Sequence, residues 1–599
     1  MKNVVCIACL AVSTGALLAC ARPPQTAGDR DGVGGLAGAG GTAAEDCDSH
    51  DVDIPSATLA GALTINGAPT SADPYARLLL RNGVNDLVEI PITGASYSVR
   101  VAPGSYEVFF SATGATATAP ANQFARLRGG VRILPGGTTT LDVDVPLATV
   151  AGAITVNGAA LALGDTVSLS LRNAAGDIVA IARDRRDSYE ARVVPGTFDL
   201  YLSSNVGGTG SATPLNQLGR IATGVVITAG AGRLDVDIPS VVVTGTIAIG
   251  GVPAGPTNRG WVTLRNAAGD VVKLAAANSA SYAAPVVPGT YDVYFTGTSD
   301  AYSVMNQNVR LQTGAAVVPT GATAIDVDVP AAVVAGTLLI DGAPPVATDS
   351  AHLVLRDATG DYAQIPWNSD GEYRVNVVPG TYDLFYAKDN TVQTATPMNQ
   401  LAKLRGGVIV AAVGTTVLDI DITSTVIMGT LKINGEPAAA GNSGIVTLRS
   451  ADGDRVVVAN TATDTYFARV VPGTYDLYYT RTATPTNTTT AAPANHAARL
   501  QTGLVLAPGA ATVLDIDIPS ATVSGAITVN GASAGSGDHG TLMLRNAAGD
   551  FAPFASTAGG AYSARLIPGM YDVYYSHAGK IGDTTPMNTL IKLRCFTVP

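Results

Sequence analysis

The chain has 599 residues, is 47% apolar and only 14% charged, and carries a formal net charge of −11, where an ordinary soluble protein is about 25% charged. That balance argues against nucleic acid or anionic lipid headgroups as partners, since both require a basic face. Abundant Val, Thr and Ala with Gly/Pro punctuation suit all-β extracellular modules better than a cytosolic enzyme.

The first twenty residues set the compartment. Lys2 supplies a positive start, Val4 to Leu18 an apolar run, and Leu17-Leu18-Ala19-Cys20 a small-residue exit, the pattern of an export signal. The apolar run is too short for a spanning helix and is cut off by Arg22-Pro23-Pro24. Its Leu-Leu-Ala-Cys ending resembles the lipobox of bacterial lipoproteins, which implies a signal peptide over 1–19 and a lipid-carrying Cys20 anchored in the bilayer. The alternative is an ordinary secretory signal with a chance cysteine. Ala21 follows the cysteine in place of the Asp that retains some lipoproteins at the inner membrane, which favours the outer membrane. Residues 20–50 then read as a Gly/Ala-rich tether with a reach of roughly 30 Å.

Beyond the tether one phrase recurs six times: VAPGSYEVFF at Val101, VVPGTFDLYL at Val193, VVPGTYDVYF at Val286, VVPGTYDLFY at Val377, VVPGTYDLYY at Val470 and LIPGMYDVYY at Leu566. The steps between its Pro-Gly pairs are 92, 93, 91, 93 and 96 residues. A period of that size marks a tandem array of small domains. Within one unit, an Asp-x-Asp strand such as Asp235–Pro239 alternates charged and apolar residues. An extended run from Val241 follows, and Gly250-Gly251 reverses it, as Asn66-Gly67, Asn157-Gly158, Asp341-Gly342, Asn434-Gly435 and Asn530-Gly531 do elsewhere. A strand ending at Arg265 turns through Asn266-Ala-Ala-Gly-Asp270. Another strand runs from Ser281 into Val286-Val287, Pro288-Gly289 is expected to close a hairpin, and Thr290–Phe295 to be its antiparallel partner. In that last strand Tyr291, Val293 and Phe295 should face the core, and Asp292 and Tyr294 outward. About seven short strands per unit and no helical periodicity predict six antiparallel β-sandwiches.

The motif Gly-x-Ile-x-Val-Asn-Gly, followed by Tyr-x-x-x-Val-Val-Pro-Gly-Thr-Tyr-Asp-Val, resembles the carboxypeptidase regulatory-like and collagen-adhesin B-type families over about 60 residues of each unit. That resemblance implies prealbumin-like β-sandwiches of bacterial surface proteins. Many collagen-adhesin B-type domains carry a Lys–Asn isopeptide bond, but no Lys recurs here at a fixed strand position, so no such crosslink is expected.

The Asp-x-Asp strand occurs at Asp51, Asp142, Asp235, Asp326, Asp419 and Asp515 and is assigned to the start of each unit. The expected domains are therefore 51–141, 142–234, 235–325, 326–418, 419–514 and 515–599, the last with about ten residues fewer and open to being truncated. With no linkers between them, six units end to end make a semi-rigid rod on the order of 200 Å long. With Cys6 and Cys9 in the signal, Cys47 and Cys595 lie at opposite ends of that rod, far beyond the roughly 7 Å reach of a disulfide. They are expected to be free or intermolecular; the alternative is an array folded back on itself.

Candidate chemistry is sparse. His50, His352, His496, His539 and His577 share no register, no cofactor is implied and no catalytic motif appears, so an enzyme ranks last. Asp142, Asp144, Asp235, Asp237, Asp326 and Asp328 are weak Ca²⁺ candidates at domain seams, against a plainer role on a solvated strand face. Arg81, Arg172, Arg265, Arg356, Arg449 and Arg545 could line a groove for acidic glycans, or pair with an Asp or lie over a ring. Asn122, Asn216, Asn306, Asn399, Asn495 and Asn588 read as loop caps, and Asp177-type residues as turn formers. Tyr294-type aromatics could stack on sugars or pack across strands. The leading expectation is a non-catalytic cell-surface lipoprotein serving as stalk, spacer or adhesion module, with an extracellular glycan or surface protein as partner. The rival is a protein binding carbohydrate or Ca²⁺ through the repeated Tyr, Arg or Asp positions.

Overall fold

A computed structural model describes residues 47–113, 118–206, 211–298, 303–321, 323–345, 351–366, 370–388, 396–482, 491–578 and 583–599. The expected signal peptide, Cys20 and the tether up to residue 46 lie outside the described residues.

The first module shows how each unit is built. Its strands follow a short leading strand β1 (Val52–Ile54): β2 (Ala57–Ile65), β3 (Ala68–Pro69), β4 (Asp73–Asn82), β5 (Leu87–Ile92), β6 (Ser96–Val101), β7 (Gly104–Ala112), β8 (Ala125–Ile133), β9 (Thr138–Thr140) and β10 (Val143–Val145). One sheet is antiparallel in the order β5-β4-β7-β8. The other is built on β2. Its first half pairs with β6 antiparallel and β9 parallel, its second half with β3 antiparallel and β10 parallel. Period-two patterning sorts the side chains: along β6, Tyr97, Val99 and Val101 are buried while Ser96 and Ser98 are exposed. Leu59, Leu63, Leu78, Val88, Val108 and Phe110 from the two sheets meet in one core. Five further cores of the same kind follow along the chain, so the array is six tandem β-sandwiches.

Several expectations hold at residue level. Tyr291, Val293 and Phe295 are buried and Asp292 and Tyr294 half-exposed. The Asn-Gly reversals adopt the left-handed backbone, with φ of 47° at Asn66 and 74° at Gly67. The strand ending at Arg265 pairs antiparallel with Val271–Ala276.

The Pro-Gly phrase is a correction. It does not close a hairpin, because β6 pairs with β2 whereas β7 pairs with β4 and β8. The chain instead arches from one sheet to the other. Val101 and Ala102 before the turn and Tyr106 after it are all buried, and the Tyr106 hydroxyl donates to the Ala102 carbonyl at 2.8 Å, folding the arch over its own core. Both a hairpin and an arch need a turn at Pro-Gly; only long-range pairing separates them.

The second correction concerns the Asp-x-Asp strands. β10 lies parallel to β2, and Val236–Ile238, Val327–Val329, Ile420–Ile422 and Ile516–Ile518 likewise pair with the first long strand of the module before them. Each strand therefore completes the preceding unit and does not begin the next. By this pairing the modules span 57–145, 148–238, 241–329, 332–422, 425–518 and 521–598. The sixth ends without its own copy of that strand, and β1 supplies it: Val52, Asp53 and Ile54 pair in parallel with Ile527, Thr528 and Val529.

Val52 and Ile54 belong to the sixth core. Cys47, expected to be free or intermolecular, forms a disulfide with Cys595, with a Cα separation of 5.0 Å. Residues 47–50, expected to be tether, are docked: Thr597 N–H donates to Cys47 O at 2.8 Å and the Tyr562 hydroxyl to His50 O at 2.6 Å. The contacts from module to module thus form a closed circuit, which replaces the expected end-to-end rod.

Candidate functional site: the seams between modules

The best-repeated polar residues converge where one module meets the next. In module 3, Asn306 lies between the strands Gly289–Thr296 and Val309–Val317 and reaches into module 4. There its side-chain amide donates to Asp361 at 2.5 Å and to the Tyr382 hydroxyl at 3.1 Å, while its carbonyl accepts the Val378 N–H at 2.8 Å. The other Asp361 oxygen accepts the Asn308 N–H at 2.8 Å. Asn216 and Asn495 make the same set with Asp270, Tyr291 and Val287, and with Asp550, Tyr571 and Ile567. Asn399 bonds Asp454, Tyr475 and Val471 in the same way. Asn122 clamps Asp177 and Val194 without a tyrosine, because module 2 carries Phe198 at that place.

The sixth copy joins the ends of the array. Asn588 donates to Asp86 at 2.5 Å and to Tyr106 at 3.0 Å, and accepts the Ala102 N–H at 2.8 Å. All six asparagines are fully enclosed. Burial pushes the carboxyl pKa up at Asp86, Asp177, Asp361, Asp454 and Asp550, and the asparagine amide and backbone N–H groups offset this in part. Neither the asparagines nor these aspartates are merely local loop residues; each pair links two modules.

A second clamp repeats beside the first. Tyr97, Tyr189, Tyr282 and Tyr466 donate to the carbonyls of Leu141, Leu234, Ile325 and Leu514 at 2.6–2.7 Å, and Tyr562 reaches His50 in the leading segment instead. The strand carrying each carbonyl passes so close that a glycine is required opposite it. A Cβ at Gly61 would overlap Leu141 O, and one at Gly525 would overlap His50 O.

The Asp-x-Asp carboxylates hold the same strands in place. Asp142 accepts the Ala62 N–H at 2.7 Å, and Asp144 accepts the Thr64 hydroxyl and the Gly67 N–H. Asp235 and Asp237 do this for Ala153, Thr155 and Gly158, and Asp326 and Asp328 for Thr246 and Gly251. Asp51 and Asp53 repeat it on Ala526, Thr528 and Gly531 of module 6. Among the described residues, no group of three or more His, Cys, Asp or Glu side chains gathers in a metal-holding arrangement.

The arginine register lies on the outer face of the four-stranded sheets. Arg172, Arg265, Arg449 and Arg545 sit over Tyr201, Tyr294, Tyr478 and Tyr574 at 4.3–5.3 Å, and Arg81 sits over Phe109 and Phe124. The tyrosine faces considered for sugar stacking therefore carry a guanidinium. The neighbouring acid of the phrase pairs with a base on the next strand, as in Glu107–Arg126, Asp383–Lys403 and Asp572–Lys592 at 2.7–3.0 Å.

No family model matches the chain, and no curated protein does. Among solved structures it is similar to the Bacillus anthracis TIE protein, with 10% identity over 59% of this chain and 68% of that one and a TM-score of 0.14. It is also similar to a streptococcal ancillary pilin, with 9% identity over 45% of this chain and 99% of that one and a TM-score of 0.15. For the major pilin subunit of Bacillus cereus the values are 10%, 61%, 99% and 0.12. At these scores the matches add nothing to what the strand pairing establishes.

Proposed function

We propose that the chain is a non-catalytic, lipid-anchored envelope protein that displays six β-sandwiches as one closed adhesive platform. The observation that carries this reading is where the recurrent polar residues go. The Asn register, with the buried Asp and Tyr residues it binds, joins modules to one another. The Asp-x-Asp and Tyr97-type registers fasten the last strand of each module. Nearly every Arg of its register packs on its own sheet, so the repetition serves the assembly and the variable loops are left for recognition. The Cys47–Cys595 disulfide supports an oxidising, extracytoplasmic setting. The Leu17-Leu18-Ala19-Cys20 ending supports attachment of the platform through acylated Cys20. A closed circuit favours display of surface over the reach of a stalk.

The test is metabolic labelling with a palmitate analogue in a Gram-negative host, followed by membrane fractionation. Label on the parent, none on Cys20→Ser, and release of that variant from the outer-membrane fraction are expected. An unlabelled parent that fractionates as soluble protein contradicts the anchor.

A further inference from the structure

The six modules act as controls for one another, and one position breaks their pattern. Across the first hairpin of the outer sheet, the register arginine faces Leu87 in module 1, Ile178 in module 2, Val271 in module 3, Tyr362 in module 4 and Phe551 in module 6. In module 5 it faces a second arginine: Arg449 is the direct strand partner of Arg455. Both are half-buried; the Nε of each is enclosed with no hydrogen-bond partner, as it is at Arg172 and Arg265 of modules 2 and 3, so the second arginine alone sets module 5 apart. Arg449 lies over Tyr478 at 4.3 Å, which fixes the plane of its guanidinium. The acid opposite Arg449 is Asp476. It already faces Arg499 at 3.7 Å and accepts the Gly503 N–H. Among the described ion pairs Asp476 answers Arg499 and neither Arg449 nor Arg455 has a carboxylate partner, in a chain whose net charge is −11. Burial, and then the Arg455 charge, push the Arg449 pKa down.

Two adjacent cations are unfavourable alone and are relieved by an anion beside them. Planar guanidinium forks match carboxylate and sulfate oxygens. The pair also sits at a rigid place. The Gln400 N–H of module 4 donates to Arg455 O, one residue from the Asn399 clamp that fixes the seam.

We propose that Arg449 and Arg455 form a binding site for the carboxylate or sulfate groups of an acidic polysaccharide. The site belongs to module 5 and depends on neither the anchor nor the closure. It is tested by calorimetry and affinity electrophoresis on the full chain carrying Cys20→Ser, with polygalacturonate, heparin, neutral dextran and inorganic sulfate as probes. Binding of polygalacturonate assigns carboxylate and binding of heparin assigns sulfate. Either should weaken at least about 10-fold in Arg455→Leu and fall with added salt. Leu is the residue module 1 carries at this place, so the variant should keep the parent's melting curve. Arg455→Leu binding as tightly as the parent overturns the proposal. So does a parent that binds neither acidic polymer, or binds inorganic sulfate but no polymer above it.

Discussion

Ile54→Asp should open module 6, although Ile54 is separated in sequence from that module by almost the whole chain. Ile54 is fully buried in the sixth core and pairs with Val529. A carboxylate there is placed among the apolar side chains of that core, and an uncompensated buried charge costs on the order of 3–5 kcal/mol. That is more than the roughly 1.5–3 kcal/mol which burial of one large aliphatic side chain contributes. Detachment of β1, which returns the carboxylate to water and gives up the burial of Val52 and the bonds of Asp51 and Asp53, is the expected outcome. Hydrogen exchange should show protection lost in the peptide covering Ile527–Val529 and kept in the equivalent peptide of module 2, Ile154–Val156. Ile238→Asp, the same lesion in module 2, should reverse that pattern. Unchanged exchange at Ile527–Val529 in Ile54→Asp contradicts the docking of β1.

Asn588→Ala carries the next largest effect, because the closing seam has the same chemistry as the internal ones. The substitution removes two donors, one of them to the buried Asp86 carboxylate, and the acceptor of the Ala102 N–H. Losing a hydrogen bond to a charged group and stranding its partners amounts to about 3 kcal/mol. The amide of Ala102 should then exchange about 100-fold faster. Asn306→Ala should do the same to Val378, whose N–H is bound in the same way. Equal effects mean equal seams. If Asn306→Ala accelerates Val378 while Asn588→Ala leaves Ala102 unchanged, the array is open in solution.

Much of the fold is legible in the sequence because it is local. Period-two runs such as Tyr291-x-Val293-x-Phe295 place the core. Asn-Gly pairs place reversals, and the recurrence of the phrase counts the modules. What escaped depends on partners distant in sequence. The alternation in Asp-Val-Asp says that Val143 and Val145 are buried, and nothing in it says against which strand. The Pro-Gly turn is compatible with a hairpin and with an arch until β6 and β7 are seen in different sheets.

The seam was hidden differently. Asn122 and Asp177 each have a sufficient local explanation, as loop cap and turn former. The sequence hint was that each amide recurs with its aspartate 54 or 55 residues on, a constancy that a loop cap does not need. The closure left two traces at the chain's ends. The sixth module lacks the last strand that the other five possess, and an unmatched Asp51-Val-Asp53 stands before the first. Cys595 stands where the other modules carry a two-residue bulge ending in glycine, such as Gly406-Gly407, and Cys47 lies just ahead of β1. Assigning the Asp-x-Asp strand to the unit before it leaves Asp51-Val-Asp53 over, and β1 takes the corresponding place in module 6.

Closure by the leading segment is tested by a non-reducing peptide map of the monomeric protein, alkylated before digestion. One crosslinked species joining the Cys47 peptide to the Cys595 peptide is expected, with neither cysteine alkylated. Alkylated Cys47 and Cys595 in the folded monomer, or crosslinks found only in dimers, would contradict it.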